Sequence, residues 1–523
     1  MLSILKSGNT ITEKSVSRGN REMIFFIDVI QQKEYWEERM LRTHYDLTII
    51  GGGSGGLTAA HLAQSLGANV LLIDKERLGG DCLHYGCVPS KSLIHVAHVV
   101  QQAGQAAHFG SIATCQSVDM AKVSASIQAV IQRVSDAEKS YAEGVTVAFG
   151  HASFISSTTL LLNDEEITSR SILVATGSRP AVPQIEGLQA TGYLTNEDVF
   201  DLTALPASLV IAGGGPIGVE LAQALGRLGT KITIIQGPER LLPREDPEVS
   251  ETIAAILKSE GIDIITNARV VKVHRNDTRK VITARQGEQM LQFEADELLL
   301  ALGRQPNISE HLNLEAAGVQ YNEKGILVDE HLQTSTPNIY ALGDVIGGYL
   351  FTHVASYHAG IAVRNALVPL AKKKVDYRVV PWCTFTEPEV ARVGLLPAEA
   401  ERQHKHVRSI KFPWSQIDRA QTANETAGFL KLVLAGKKEQ IVGAHLVGAG
   451  AGELLGEIAL AMQHHLTIKD IFNTIHPYPT MSTGLQQATF EAFLTGPEAA
   501  SNRKFIQLLW GKPTSYLRNA FLR

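Results

Sequence analysis

Cysteine is scarce. The 523-residue chain has four, too few for a secreted disulfide scaffold, so any close pair reads as redox or metal chemistry. Long apolar runs are missing too. The longest near the start, Met23-Ile24-Phe25-Phe26-Ile27, ends at Asp28, and no run reaches the roughly 18 to 20 residues of a membrane span. The first 20 residues lack the continuous apolar core of a signal peptide, so a soluble, cytoplasmic protein is the expectation. Positive charge is not in excess: 48 Lys and Arg against 53 Asp and Glu give a net charge of −5. That argues against a generic nucleic-acid binder held by phosphate contacts. With 45 Gly and 19 Pro the sequence is not of low complexity. What remains is 44% hydrophobic and, at roughly 150 residues per domain, long enough for three or four domains.

Residues 1–43 are polar and aperiodic, and they precede the buried-strand pattern Tyr45-Asp46-Leu47-Thr48-Ile49-Ile50. A strand of this kind usually opens its domain, so residues 1–43 read as an extension; a start at Met40 would leave an ordinary lead-in. The chain then repeats itself. Gly51-Gly52-Gly53-Ser54-Gly55-Gly56 leads into a helix-like segment and the strand Asn69-Val70-Leu71-Leu72-Ile73-Asp74. Later Gly213-Gly214-Gly215-Pro216-Ile217-Gly218 leads into a helix pattern and Lys231-Ile232-Thr233-Ile234-Ile235-Gln236. First glycine and strand end are equally spaced in both copies, 51 to 74 and 213 to 236. Two βαβ units in one phase are stronger evidence than either glycine motif alone. The runs 172–177 and 298–303, each a buried strand ending at glycine (Gly177 and Gly303), would close the two units. Beyond about residue 378 the pattern shifts to strands and then helices, an α+β domain of another type.

The glycines have mechanical jobs. Gly51 permits the tight turn, Gly53 lets the backbone approach a pyrophosphate, and Gly56 lets helix and strand pack closely; Gly213, Gly215 and Gly218 repeat the set. The helix N-terminus offers N–H groups to the phosphates, and Asp74 suits a ribose hydroxyl. The bland alternative, a tight glycine turn with no ligand, is weakened by the repeat. The second copy ends in Gln236, which removes an acid's repulsion of a 2′-phosphate and points to NADPH. Arg240 is close enough to meet that phosphate, or is a solvated surface charge.

Between the units lies Gly79-Gly80-Asp81-Cys82-Leu83-His84-Tyr85-Gly86-Cys87-Val88-Pro89-Ser90-Lys91. Pro89 stands where a helix would begin, and a cysteine at a helix N-terminus has its thiolate stabilised. The competing readings are a zinc pair or two buried cysteines. Zinc would need two more ligands, and Cys115 and Cys383 have no paired spacing. A redox-active disulfide is favoured and no metal site is expected.

The Cys-x4-Cys-Val-Pro-Ser-Lys run, the two glycine units, Ala175-Thr176-Gly177 and Thr336-Pro337-Asn338-Ile339-Tyr340-Ala341-Leu342-Gly343-Asp344 together resemble the class I pyridine nucleotide-disulfide oxidoreductases. The resemblance covers about residues 44–490. It implies an α/β fold with two Rossmann-type domains, for FAD and NAD(P)H, and a C-terminal α+β domain forming a homodimer. The expected division is an extension (1–43), a first FAD part (44–190), the NAD(P) domain (191–310), a second FAD and central part (311–378), the dimerisation domain (379–495) and a basic tail (496–523). Carried over residue by residue, Cys87 resembles the thiol facing the flavin and Cys82 the interchange thiol that meets substrate. Lys91 and Glu220 resemble the ion pair beside the flavin's reactive nitrogen. Asp344 resembles the acid at the ribityl and pyrophosphate region, Thr352 and His353 fall where the family lines the flavin, and Ala152, Thr176 and Gly177 join the FAD site.

The departures bear on the acceptor. Glutathione reductase and dihydrolipoamide dehydrogenase carry His-Pro-Thr-x-x-Glu near the C-terminus, where the partner's histidine protonates the leaving thiol. Here the run is Tyr478-Pro479-Thr480-Met481-Ser482-Thr483. A phenol of pKa about 10 is a poor proton shuttle at neutral pH. His476, two residues upstream, is a substitute or an ordinary structural histidine. Mercuric reductase has a tyrosine at the place of Tyr478 and another in a run like Tyr193-Leu194-Thr195, both near its metal. Thiolates bind a soft metal without a proton for a leaving group. Yet that enzyme's terminal vicinal cysteines are absent, since the last cysteine is Cys383, and Cys82 being the first leaves no metal-capture pair in the extension. The expectation is an FAD-dependent NAD(P)H oxidoreductase, mercuric-reductase-like, acting on a thiol, disulfide or soft-metal acceptor. Dihydrolipoamide dehydrogenase chemistry, or a flavin-binding redox sensor with little turnover, are the alternatives.

After Glu498 come Arg503, Lys504, Lys512, Arg518 and Arg523 with no acid, interleaved with aromatic and aliphatic residues. Such a tail suits weak contact with an anionic membrane surface; a helix packed on the dimer is the competing reading, since Pro513 interrupts a long amphipathic helix.

Overall fold

The computed structural model describes residues 44–111, 117–308 and 310–510. The extension, Cys115 and the tail beyond Trp510, with Lys512, Pro513, Arg518 and Arg523, lie outside the described residues.

The first unit is β1 (His44–Ile50), α1 (Ser54–Ser65) and β2 (Val70–Asp74). β1 and β2 are parallel, with Ile50 opposite Ile73. Their side chains are buried on both faces, as a parallel sheet covered by helices requires. After β2 come α2 (Gly80–His84) and α3 (Cys87–Gln105), then β3 (Thr146–Phe149), β4 (Ala152–Phe154), β5 (Thr159–Leu162) and β6 (Glu165–Val174). The sheet order is β3-β2-β1-β6-β5-β4, and the strand Ile339–Ala341 returns much later to pair with β6. β6 ends with Val174 beside Ile50, so the Ala175-Thr176-Gly177 turn emerges at the edge where the glycine loop begins.

The second unit repeats this: β7 (Ser208–Ala212), α4 (Pro216–Arg227), β8 (Lys231–Ile235), α5 (Pro247–Ser259) and β9 (Asp263–Ile265). A separate antiparallel sheet follows, β10 (Ala268–Asn276), β11 (Arg279–Gln286) and β12 (Gln289–Ala295), before β13 (Glu297–Leu300) completes the parallel order β9-β8-β7-β13. Leu300 lies opposite Ala212, so the segment ending at Gly303 closes the second unit as Gly177 closes the first.

Helix α6 (Thr352–Leu367) packs on α1. The last region is an antiparallel sheet of β14 (Pro381–Thr384), β15 (Glu389–Gly394), β16 (Arg408–Pro413), β17 (Phe429–Ala435) and β18 (Gln440–Gly448), ordered β14-β15-β18-β17-β16. Helices α7 (Ala451–Gln463), α8 (Ser482–Thr495) and α9 (Pro497–Trp510) accompany it, and its own apolar core centres on the fully buried Trp414. α9 packs against α8, and Arg503 donates to the Leu494 carbonyl at 2.6 Å. Phe505 and Ile506 remain exposed. No described helix is long and apolar enough to cross a membrane.

Candidate active site

The two glycine loops open onto one cavity of about 2420 Å³, walled by both parallel sheets, by α2 and α3 and by β14. At each loop the closing glycine allows the close approach. A Cβ on Gly56 would stand 1.8 Å from the Gly51 carbonyl oxygen, and one on Gly218 would stand 1.9 Å from that of Gly213. Gly51 and Gly213 hold φ of +110° and +114°, which favours glycine. The caps of α1 and α4, Gly53 and Gly215, make no side-chain capping bond. The first-turn N–H groups of both helices are thus left for a ligand, the arrangement that binds a pyrophosphate. Asp74 ends β2 with Oδ2 accepting from Gly52 N at 2.7 Å, and burial holds its carboxyl above the usual range. Gln236 makes the same contact in the second unit, accepting from Gly214 N at 2.7 Å. Two such cradles in one cavity fit two dinucleotides.

Between the cradles lie the cysteines. Cys82 sits on α2, and α3 begins at Cys87 itself, two residues before the expected start at Pro89. Cys87 is therefore at a helix N-terminus, open to the cavity yet closely surrounded by protein. The structure holds the pair as thiols. The hydrogen bond from Cys82 lowers the Cys87 pKa most, and Lys91 and Thr352 add to it against the cost of burial, bringing it to about 6. Cys82 moves the opposite way, its pKa raised by that shared hydrogen bond and by burial. One proton shared by two thiols is thus held on Cys82 and the charge on Cys87. Thr352 Oγ1 stands 3.7 Å from Cys87 Sγ.

One turn into α3, Lys91 Nζ is 2.8 Å from Glu220 Oε2 on α4. Glu220 is buried, and its other oxygen accepts from Phe385 N at 2.8 Å. Lys91 also lies over the Phe385 ring, 4.3 Å from its centroid. The ion pair is thus boxed by the segment following β14.

Gly51, Gly53, Asp74, Thr176, Gly177, Asp344, Thr352, His353, Gly213, Gly215, Gln236, Gly303 and Tyr193 line the same cavity. Tyr193 meets Gln189 at 3.5 Å. His353 Nε2 donates to the Pro381 carbonyl at 2.8 Å, and burial lowers its pKa. Four expected residues lie elsewhere. Ala152 packs its side chain into the core beneath the first sheet, because on β4 it points away from the cavity. Arg240 does not line the cavity: its carbonyl accepts from Gln236 Nε2 at 3.2 Å and its guanidinium pairs with Glu239 at 3.1 Å. The side chain of His476 is 4% exposed, with Nε2 2.9 Å from Glu457 and Nδ1 2.9 Å from the Thr474 carbonyl. Both nitrogens are engaged inside its own chain, which fits the structural reading. Tyr478 is 71% exposed, off the cavity of its own chain, and donates to Asp418 at 2.9 Å. That carboxylate raises the phenol's pKa, making it a weaker acid still.

Sequence reading missed several contributors. Arg304, directly after Gly303, meets Asp81 at 3.0 Å, Ser178 Oγ at 2.7 Å and Asp344 at 3.7 Å. It ties the segment beside Cys82 to the acid of the flavin region. Its signal was available, a charged residue on the glycine that closes the second unit. Phe385, and Trp382 whose Nε1 donates to Glu245 at 2.7 Å, carry no local motif.

Residues 45–359 match the pyridine nucleotide-disulphide oxidoreductase family, and residues 380–489 match its dimerisation domain. The chain belongs to this family. The oxidoreductase is 38% identical over 450 residues to a mercuric reductase of Staphylococcus aureus, covering 85% of this chain and 82% of the relative. It is 35% identical over 471 residues to a dihydrolipoyl dehydrogenase of Bacillus subtilis (strain 168), covering 86% and 98%. Among solved structures it is similar to the Cu(II) complex of the HOCl-induced flavoprotein disulfide reductase RclA from Escherichia coli. There the TM-score is 0.77 and the identity 30%, covering 86% of this chain and 100% of that one. Members of the family use FAD and NAD(P)H, and the two cradles fit them. The oxidoreductase is an FAD-dependent pyridine nucleotide-disulfide enzyme.

Proposed function

We propose that the oxidoreductase passes electrons from NAD(P)H to a soft-metal or thiol-disulfide acceptor in the manner of a mercuric reductase. The cradles at Gly51–Gly56 and Gly213–Gly218 would hold FAD and NAD(P)H, which when bound would supply hydride transfer and an electron pair for the Cys82–Cys87 disulfide. The residues do the rest. Two electrons and one proton open the disulfide; the proton stays on Cys82 and Cys87 remains a thiolate, as their opposed pKa shifts favour. Lys91 and Glu220 hold a fixed, half-buried charge pair beside the reacting region. Cys82 then gives up its proton on attacking a disulfide, or both sulfurs ligate a soft cation.

The observation that carries the metal reading is the chemistry of Tyr478. It is an exposed phenol, bonded to Asp418 and a weaker acid than usual, at the position where disulfide-reducing relatives need a proton donor. A cation needs no such donor. In a homodimer, which the match to the dimerisation domain supports, the exposed Tyr478 would be free to serve a second copy's cavity. The dihydrolipoyl dehydrogenase likeness supports the second reading, since it spans nearly all of that relative.

Steady-state oxidation of NADPH and NADH with Hg(II), Cu(II), oxidised glutathione, lipoamide, quinone and oxygen tests this. Copper is included because the RclA relative is described as a Cu(II) complex. Metal-dependent turnover lost in Cys82→Ser is expected; faster turnover with lipoamide than with either metal overturns the metal reading. No turnover with any acceptor favours a redox sensor. We place the enzyme in the cytoplasm, with the basic tail giving weak contact to anionic membranes. Equal co-sedimentation with anionic vesicles by the full chain and a chain ending at Pro497 would refute that contact.

A further inference from the structure

We propose that Arg269, with Arg285 across the sheet, forms the site that reads the 2′-phosphate of NADPH. This rests on the reading of the second glycine unit as the NAD(P)H cradle.

The end of β8 sets the stage. Gln236 is 5% exposed and engaged at both ends of its amide, by Gly214 N and the Arg240 carbonyl. It reproduces the loop contact of Asp74 while presenting no negative charge to the cavity. The backbone then pins β10 against this strand end: Ala268 N donates to the Gln236 carbonyl at 3.0 Å. The next residue is Arg269, which lines the cavity. A Cβ on Gly237 would stand 3.4 Å from its Nε and 3.6 Å from its Cγ. The arginine stem therefore lies along the residue that follows Gln236, where an adenosine ribose on this cradle would end.

The surrounding charge is unbalanced in one direction. Arg269 pairs in register with Arg285 on β11, two exposed guanidinium groups facing each other on one sheet face. Like charges directly opposite across antiparallel strands are destabilising unless an anion lies between them. Among the described residues, neither of these two guanidinium groups makes a hydrogen bond or an ion pair. Arg240, the arginine nearest to Gln236 in sequence, is by contrast already paired with Glu239. A dianionic phosphomonoester carried on a ribose matches two free guanidinium groups beside a nucleotide strand end.

The experiment is calorimetric titration of the FAD-loaded enzyme with NADP⁺, NAD⁺, adenosine 2′,5′-bisphosphate, 5′-AMP and inorganic phosphate, in wild type, Arg269→Ala and Arg240→Ala. Arg269→Ala is expected to weaken NADP⁺ and the bisphosphate by about ten- to a hundredfold, the loss of one charge-assisted contact. NAD⁺ and 5′-AMP should change less than about twofold, and Arg240→Ala should change nothing. Unchanged flavin absorbance and melting temperature confirm that Arg269→Ala is folded. Equal weakening of NADP⁺ and NAD⁺, or no weakening, overturns the proposal. So does inorganic phosphate binding as tightly as the bisphosphate, which would mark a free-phosphate site. Wild type binding neither dinucleotide would instead overturn the reading of the second unit.

Discussion

The charge separation between the two thiols can be measured. An ordinary thiol of pKa about 8.5 is roughly 3% ionised at pH 7, whereas one near 6 is roughly nine-tenths ionised. The thirtyfold gain in thiolate does not become a thirtyfold gain in rate. Nucleophilicity falls with basicity, with a Brønsted slope of about 0.4 to 0.5, so the net advantage toward a disulfide at pH 7 is only about two- to threefold. The decisive observable is where reactivity inflects with pH. In the two-electron-reduced enzyme, reaction with a small aromatic disulfide should rise through about pH 6, because the thiolate appears as pH climbs past the lowered Cys87 pKa. The same thiolate should give a long-wavelength absorbance band against bound oxidised FAD.

Each variant separates one cause. Cys82→Ala removes the largest one, so the inflection should move up toward the ordinary thiol range, leaving only the help of Lys91, Thr352 and the helix end. Cys87→Ser should abolish the low inflection and the band, leaving Cys82 reactive only in alkali, as burial dictates. Cys82→Ser should show the band without any reductant. A wild-type inflection at pH 8 or above, or a low inflection that survives Cys87→Ser, would refute the assignment of charge to Cys87.

Other outcomes follow from single contacts. Gln236→Glu should shift preference toward NADH in steady-state kinetics, because a carboxylate repels the 2′-phosphate; a wild type preferring NADH by about tenfold or more would defeat that reading. Gly56→Ala should lower the melting temperature and FAD content, since its Cβ meets backbone at 1.8 Å. Gly360→Ala in α6, with nothing within 4 Å, should instead stabilise by about 0.5 to 1 kcal/mol. His476→Ala should cost roughly 1 to 3 kcal/mol in denaturant unfolding by losing its bonds to the Glu457 carboxylate and the Thr474 carbonyl, and leave turnover near that of wild type.

The features legible in the sequence were those written in consecutive residues. Both βαβ units, their closing glycines and the cysteine segment are short runs whose spacing is imposed by one turn of backbone. Asp74 and Gln236 were found because a strand and a helix between two loops have nearly fixed length. The α+β character after residue 378 followed from a change of period, though neither the sheet order nor the buried Trp414 did. Arg240 is four residues from Gln236 in sequence and Arg269 is 33. In space both are close: the Arg240 carbonyl accepts from Gln236, and β9 carries the chain back so that Ala268, next to Arg269, also bonds to Gln236. Sequence distance misled where a parallel strand pair folded the chain onto itself.

The acceptor was illegible for a related reason. Chemistry at Cys82 depends on what stands across from it, and the candidates come from distant segments: Tyr193 before the second unit, Arg304 after it, and Tyr478 from the dimerisation region. Of these, Arg304 reaches the Cys82 segment through Asp81, while Tyr478 faces away from the cavity of its own chain. A residue that acts on a second copy leaves no intrachain contact to fix its role. If Tyr478 serves a metal in that copy, Tyr478→Phe should slow metal-dependent turnover while leaving the Cys87 inflection near pH 6, since none of the groups that set that pKa is touched. A change in the inflection together with the rate would mean that Tyr478 acts through the fold of the cavity. An unchanged metal rate would remove it from the site.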